Sequence, residues 1–349
     1  MPPEYPAALG YHMPAEWEPH AATWLAWPHN RETWPDNLDE VQAISVRLLT
    51  ILQGHETVHL FVNDATTADH VRRLLAAAGL PQPDVVMHIR RTVDAWLRDS
   101  GPTFVIAREH IGAPLALVDW RFTAWGAKYP EMLADDDLPR YIAAHFTLPR
   151  FRPGIVLEGG SIDVNGHGTC LTTEQCLLRP NRNPHLSRQQ IERMLQRYLG
   201  VQHVIWLGAG IAGDDTDGHV DDIARFVNPT TVVCALNDDP SDPNYAALQE
   251  NYQRLQAATD QDGRPLDVIP LPMPGLIGSE AEPLPASYAN FYIANGVVLV
   301  PTYAHPHDQE ALRILQTLFP ERQVIGIPCE PLVWGLGALH CITQQQPAA

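Results

Sequence analysis

Four short polar stretches in this chain hold side chains able to do chemistry. The last, Gly335-Leu336-Gly337-Ala338-Leu339-His340-Cys341-Ile342-Thr343-Gln344, is glycine-rich and carries a cysteine between polar groups. Glycines let backbone come close to a ligand. Cys341 acts as a nucleophile only if a base and charge partners come from elsewhere, and alone it reads as readily as a small buried hydrophobe. A free thiol titrates near ~8.5, so its surroundings must activate it. The other stretches carry the charge. Asp94-Ala95-Trp96-Leu97-Arg98-Asp99-Ser100-Gly101-Pro102 sets two acids, an arginine and a Gly-Pro turn on a loop after a strand, where sites often sit; Arg98 and Asp99 also fit a surface pair. In Val156-Leu157-Glu158-Gly159-Gly160-Ser161-Ile162-Asp163-Val164 a carboxylate ends an apolar strand and must be solvated or paired, or else faces water from a hairpin turn. In Asp214-Asp215-Thr216-Asp217-Gly218-His219-Val220-Asp221-Asp222, His219 and Asp221 share one face of an extended segment as an acid/base and anchor pair. A solvated acidic loop is the other reading of that run. A calcium loop fits less well, because the EF-hand spacing and terminal glutamate are missing.

A cysteine, a histidine and a surplus of carboxylates suggest a cationic substrate. A cysteine protease needs only one acid or amide behind its histidine. Guanidinium fits the surplus: it is planar, permanently charged, and its forked donors match carboxylates. Two acids on its nitrogens leave the central carbon open to a thiolate, and a nearby histidine can protonate departing ammonia. No metal-ligand constellation stands out, and His305-Pro306-His307-Asp308 suits a turn better than a site. Neither a Gly-x-Gly-x-x-Gly nor a Walker loop occurs, so no nucleotide cofactor is expected.

Bulk properties narrow the class. The chain has 349 residues, 45% hydrophobic, and a formal net charge of -18. Nucleic acid and anionic membrane are poor partners for such a surface, whereas a small cation is attracted to it. The sequence has no apolar run long enough to span a bilayer. Met1-Pro2-Pro3-Glu4-Tyr5-Pro6 lacks the basic and apolar regions of a leader. Cys170, Cys176, Cys234, Cys329 and Cys341 form neither zinc spacing nor a disulfide framework, which points to a reducing cytoplasm.

The elements that must position these residues alternate. Helical spacing runs from Asn37 to Gln53, from an Asp64 or Thr66 cap to Ala78 with Gly79-Leu80-Pro81 as its stop, and near Leu138–Phe146, Ser187–Leu199, Asn244–Ala258 and His307–Phe319. Strand-like runs are Thr23–Trp27, Val58–Val62, Val85–Ile89, Leu115–Val118, Ser161–Val164, His203–Leu207, Thr231–Leu236, Phe291–Ile293, Val297–Val300 and Gln323–Ile327. More than one strand per helix predicts small α/β units with hairpins rather than simple β-α-β winding. Trp17, Trp24, Trp27 and Trp34 are expected in the core. No linker or low-complexity tract divides residues 1–349, which read as one domain.

Taken together, the stretches resemble the agmatine deiminase family. Trp96-Leu97-Arg98-Asp99-Ser100-Gly101-Pro102, Glu158-Gly159-Gly160-Ser161, Gly218-His219-Val220-Asp221 and His340-Cys341-Ile342-Thr343-Gln344-Gln345 carry the likeness. Val118-Asp119-Trp120, Ala124-Trp125-Gly126 and Pro180-Asn181-Arg182-Asn183-Pro184 add to it, in the family's order along nearly the whole chain. The resemblance implies the pentein fold, a five-bladed α/β propeller of ββαβ-type units with pseudo-fivefold symmetry around a central funnel. It implies hydrolysis of agmatine to N-carbamoylputrescine and ammonia through a covalent S-alkylthiouronium, no cofactor, and a homodimer as the common assembly. Cys341 would be the nucleophile and His219 the general acid, then base. Asp99 and Asp221 would grip the guanidinium, Glu158 would orient His219 and contact substrate, and Trp96 would pack along the guanidinium plane. His340 is left without a role, since an extended segment turns it to the opposite face. The family's terminal motif commonly reads Gly-Gly-Gly-Asn-Ile-His-Cys, and here Leu336 and Ala338 depart from it. That leaves other substrates open, namely arginine, peptidyl-arginine or another guanidine, and also an idle guanidine- or polyamine-binding protein.

Overall fold

A computed structural model describes residues 5–80, 84–107 and 112–349. Pro81 of the expected helix stop and the first residues of the Met1–Pro6 segment lie outside these. Five small sheets share one pattern: an antiparallel strand pair, a helix, then a strand parallel to the second of the pair. Thr103–Ala107 and Leu115–Val118 are followed by helix Leu138–Phe146 and strand Arg150–Phe151, with Tyr11–His12 added at the edge. Asp163–Val164 and Thr169–Thr173 lead through helix Arg188–Leu199 to His203–Leu207. Ala224–Phe226 and Thr231–Leu236 lead through Tyr245–Gln256 to Asp267–Pro272, and Tyr292–Ala294 and Val297–Thr302 lead through Asp308–Leu318 to Gln323–Pro328. The fifth unit joins the two ends of the chain. Strand Thr343–Pro347 pairs antiparallel with His20–Ala26, which continues through helix Leu38–Leu52 to the parallel strand Thr57–Val62, with Val85–Ile89 added beyond. This is the ββαβ repetition of the pentein fold. The repeat is one of topology.

Local chemistry explains the crossover helices. Ser187 caps helix Arg188–Leu199 with a capping box to Gln190, and Gly200 ends it at φ 71°. Asp64 accepts the Thr67 N–H and is the cap of the helix that follows it. Trp24, Trp27 and Trp34 are core residues as expected, and Trp17 is half-buried against the core. No helix among the described residues is long and apolar enough to cross a membrane.

Three expectations near the polar stretches are corrected. Asp94–Pro102 is not simply a loop, because Leu97–Ser100 form one helical turn. Ser161–Val164 is a strand only over Asp163–Val164; Gly159–Ser161 wind into a 3-10 turn. There Ser161 Oγ donates to the Glu158 carbonyl at 2.6 Å, a local bond that competes with the ladder. Val220–Asp222 is likewise a 3-10 turn, so His219 and Asp221 do not share the face of an extended segment. The closing strand Thr343–Pro347 escapes hydropathy altogether. Its glutamines are buried yet bonded: Arg98 donates to Gln345 at 2.6 Å and Trp24 to Gln346 at 2.9 Å.

Candidate active site

The one-turn helix Leu97–Ser100 buries Asp99 at 5% exposure. Its Oδ1 accepts the Gly160 N–H at 3.0 Å and its Oδ2 accepts Trp125 Nε1 at 2.9 Å. Trp125 reaches it from a left-handed turn, with Ala124 at φ 50° and Trp125 at φ 54°. Gly126 makes that turn possible, since a Cβ there would lie 2.4 Å from Asn181 Nδ2. The sequence motifs Ala124-Trp125-Gly126 and Pro180–Pro184 therefore pack against each other at Gly126 and Asn181, and Trp125 of the first reaches the carboxylate of Asp99.

Glu158 is fully buried, and Arg182 from the second of those motifs holds it. Arg182 Nε donates to both carboxylate oxygens at 2.8 and 3.0 Å. Its Nη1 donates to Asp217 at 2.9 Å and its Nη2 to the Thr216 carbonyl at 2.9 Å. Burial pushes the Glu158 carboxyl up, but His219 and Arg182 outweigh it and hold it below the usual carboxylate range. His219 Nε2 lies 3.7 Å from Glu158 Oε2 and its Nδ1 lies 3.7 Å from Asp99 Oδ1. Burial alone would lower the imidazole; Asp99, and then Cys176 and Glu158, raise it well above its ordinary value. Neither ring nitrogen has a hydrogen-bond partner, and neither has Asp221 Oδ1. Buried polar groups are normally paired, so these orphaned atoms mark a place prepared for a polar ligand.

These groups converge over one glycine. A Cβ on Gly160 would lie 2.6 Å from His219 Nδ1, 2.9 Å from Asp221 Oδ2 and 3.0 Å from Asp99 Oδ1.

Cys341 sits in the turn just before Thr343–Pro347, 6% exposed. The closure of the fifth unit holds it there, and Arg98 N donates to its carbonyl at 3.1 Å. Gly337 lets Trp96 pack against this turn: a Cβ there would lie 2.6 Å from Trp96 Cζ3 and 3.1 Å from Cys341 Cβ. Burial and then the charges of Asp221, Asp222 and Asp99 push the Cys341 thiol well above its ordinary value. A bound cation among those acids would bring it down.

His340 is not turned away from the site. Its Nδ1 meets Asp221 Oδ2 at 2.7 Å and its Nε2 meets Glu16 Oε2 at 2.8 Å. Burial raises Asp221, yet His340 more than compensates and keeps its carboxyl lowered. Glu16 is tied in turn to Arg225 at 2.8 Å, and Arg225 to Asp163 at 2.9 Å. Glu16 carries no signal in its Trp/Pro-rich segment, so sequence reasoning misses it. It also misses the parts played by Trp125 and Arg182, although both stand in motifs already singled out.

A cavity of about 310 Å³ opens onto Cys341 and Asp99. Trp96, Trp125, Tyr129 and Met132 form its apolar wall, and Glu32, Glu131, Asp215, Trp334 and Leu336 lie along it. No lysine or arginine lines it among the described residues. Leu336 stands at φ 69°, the left-handed region that favours glycine, which is the physical reason a glycine is the expected residue there. Cys341, Asp99 and Trp96 form the cavity wall; His219, Glu158 and Asp221 lie behind it, at 1% exposure or less. The remaining cysteines are all 0% exposed, and burial raises each thiol, that of Cys234 to about 12.

Glu158, Cys176 and His219 bring ligand atoms within 4.8 Å of one another. Both Glu158 oxygens already accept Arg182, whose fixed positive charge opposes a metal cation there. Arg182→Met is expected to destabilise the fold by about 3–5 kcal/mol, because it strands the buried Glu158 carboxylate, whereas Asp217 keeps Lys128 and Asn181. Urea denaturation measures this; an unchanged midpoint would mean that Glu158 does not depend on Arg182.

The sequence profile of the Porphyromonas-type peptidyl-arginine deiminases matches residues 12–347. The agmatine deiminase of Stutzerimonas stutzeri (strain A1501) is 43% identical over 366 residues, covering 98% of this chain and 97% of that one. The agmatine deiminase of Medicago truncatula is 40% identical, with 98% of each chain covered. The solved agmatine deiminase of Enterococcus faecalis superposes with a TM-score of 0.91 at 36% identity, over 99% of this chain and 98% of that one.

Proposed function

Since this chain belongs to the Porphyromonas-type peptidyl-arginine deiminase family, we infer that it hydrolyses agmatine to N-carbamoylputrescine and ammonia. The observation that carries the choice of substrate is the cavity, lined by acids and aromatics without a lysine or arginine among the described residues. Agmatine ends in an amine beyond its guanidinium. Arginine adds a carboxylate, which would enter that acidic cavity unpaired.

The residues divide the work as follows. Asp99 and Asp221 take the guanidinium nitrogens, and the Trp96 ring lies against the cation. Entry of the cation offsets the acids around Cys341 and lowers its thiol, so substrate helps to make its own nucleophile. The thiolate adds to the guanidinium carbon, forming the C–S bond. His219 is protonated, and Glu158, held ionised by Arg182, keeps it so. It gives its proton to the departing nitrogen; the C–N bond breaks, ammonia leaves, and the S-alkylthiouronium remains. His219, now neutral, takes a proton from water, whose oxygen attacks the same carbon. The C–S bond breaks, the thiolate returns, the added hydroxyl gives its remaining proton to solvent as the C=O forms, and the carbamoyl product leaves.

A panel of agmatine, arginine, peptidyl-arginine and methylated arginine, with mass detection of product, tests the assignment. Agmatine should be turned over far faster than the others; turnover of arginine or a peptide alone would overturn it.

Asp99→Asn should raise the agmatine KM by about 10²-fold, because a charge-assisted partner of the cation is lost. Both Asp99 oxygens already accept N–H donors, so the new amide must also turn its own NH₂ against Gly160 or Trp125. An unchanged substrate dependence would remove Asp99 from the grip. Burial raises the Asp99 carboxyl above its ordinary value. A cation needs the ionised form, so binding is full above that raised pKa and is lost as pH falls through it. The agmatine KM should therefore rise on acidification, beginning above the usual carboxylate range; a KM flat to about pH 4 would contradict this.

A further inference from the structure

Asn290 lies one strand away from the reacting groups, just before Tyr292–Ala294, and is 0% exposed. Nothing in its sequence context marks it. Its side chain nevertheless touches the sulfur of Cys341, with Nδ2 at 3.2 Å and Oδ1 at 3.6 Å. The backbone fixes which way the amide points. Oδ1 accepts the His340 N–H at 2.9 Å, and Nδ2 donates to Asp222 Oδ1 at 3.0 Å. With the oxygen committed to His340, one amide hydrogen goes to Asp222 and the other is left for the sulfur.

We propose that Asn290 is a further catalytic residue, whose carboxamide donates to the Cys341 thiolate and holds it at the attack position. The two ends of the amide serve the two states of the sulfur: a thiol donates to Oδ1, and a thiolate accepts from Nδ2. The ionisable groups facing the sulfur are Asp99 on the helix Leu97–Ser100, Asp221 and Asp222 on the turn Val220–Asp222, and Tyr303 after Val297–Thr302. The carboxylates oppose the thiolate. Against them stand two neutral donors, Asn290 Nδ2 and the Ala338 backbone. A hydrogen bond to a buried anion is among the stronger ones a neutral group can make. The role rests on the reading of Cys341 as the nucleophile, and the test separates the two.

The test is the rate of alkylation by neutral iodoacetamide across pH, without substrate, beside kcat and KM for agmatine. Asn290→Ala removes the donor. Asn290→Asp keeps the shape and the acceptor for His340 but replaces the donor with another acid. Alkylation of Cys341 at about pH 8 should fall about tenfold in the first and further in the second, with the pH midpoint moved up by about one unit. Turnover should fall in kcat more than it rises in KM. Rates and midpoints within about threefold of wild type in either folded variant would overturn the proposal. Should neither variant fold, selective ¹⁵N labelling of asparagine in the wild-type chain decides: the Asn290 Nδ2 protons must shift as Cys341 ionises, and a flat response rejects the contact. Cys341→Ser is the control for the underlying reading. If it still deiminates agmatine, the nucleophile is misassigned; if it is inactive while the Asn290 variants match wild type, only the Asn290 role fails.

Discussion

Cys341→Ala is expected to lower kcat for agmatine by about 10⁴-fold or more while leaving its binding within about threefold. The sulfur supplies the covalent bond that splits one hard displacement into two easier ones, and no other group in the cavity can replace it. The remaining cysteines are fully buried, with thiols raised by burial, so none can stand in. Binding is spared because Asp99, Asp221 and Trp96 are untouched. Ammonia release measures the loss, calorimetry measures the binding, and intact-protein mass under acid quench should show a substrate-derived adduct on wild type alone. Retention of more than about a tenth of the wild-type kcat would place the nucleophile elsewhere.

Gly160→Ala should be nearly as damaging, from a single methyl group. The added carbon would stand 2.6 Å from His219 Nδ1, 2.9 Å from Asp221 Oδ2 and 3.0 Å from Asp99 Oδ1, well inside contact distance of all three. It fills the space those polar atoms surround, and it pushes apart groups whose mutual placement does the chemistry. Displacement by an ångström costs about 10²-fold in a positioned reaction. Here substrate grip and proton transfer are disturbed together, so kcat/KM should fall by about 10³-fold or more. Overpacking also costs stability, about 1–3 kcal/mol. The melting temperature should therefore be read first, and kcat/KM measured well below it. Near-normal kcat/KM in folded protein would mean that the cradle lies elsewhere.

Both predictions begin at residues the sequence already singled out, and the way they become visible differs. Cys341 is legible because a glycine-rich, polar-flanked cysteine needs partners, and Asp99, Glu158, His219 and Asp221 stand in stretches whose combined surplus of carboxylates suits a cation. Gly160 is legible only as a turn glycine; that its missing side chain leaves room for three polar atoms is a fact of packing. The helices with clean periodicity, such as Arg188–Leu199 with its capping box, follow from local chemistry and are read almost to the residue. The strand Thr343–Pro347 is not, because its buried glutamines are satisfied by Arg98 and Trp24 from far along the chain. Val220–Asp222 turns where the sequence suggests an extended segment, because residue types two apart do not report the backbone between them.

What the sequence by itself determined is the inventory: one polar-flanked thiol, one imidazole among acids, too many carboxylates for a neutral substrate, and α/β alternation able to carry them. Its resemblance to the deiminase motifs supplied the reaction. The tertiary structure alone decided which groups meet: Arg182 locking Glu158, His340 bridging Asp221 and Glu16, Trp125 and Gly160 holding Asp99, and Asn290 reaching the sulfur. The physical reason is range. Periodicity and capping act over a few residues along the chain. The charges and hydrogen bonds that set this site join residues up to 324 positions apart, brought together when the closing strand pairs with His20–Ala26.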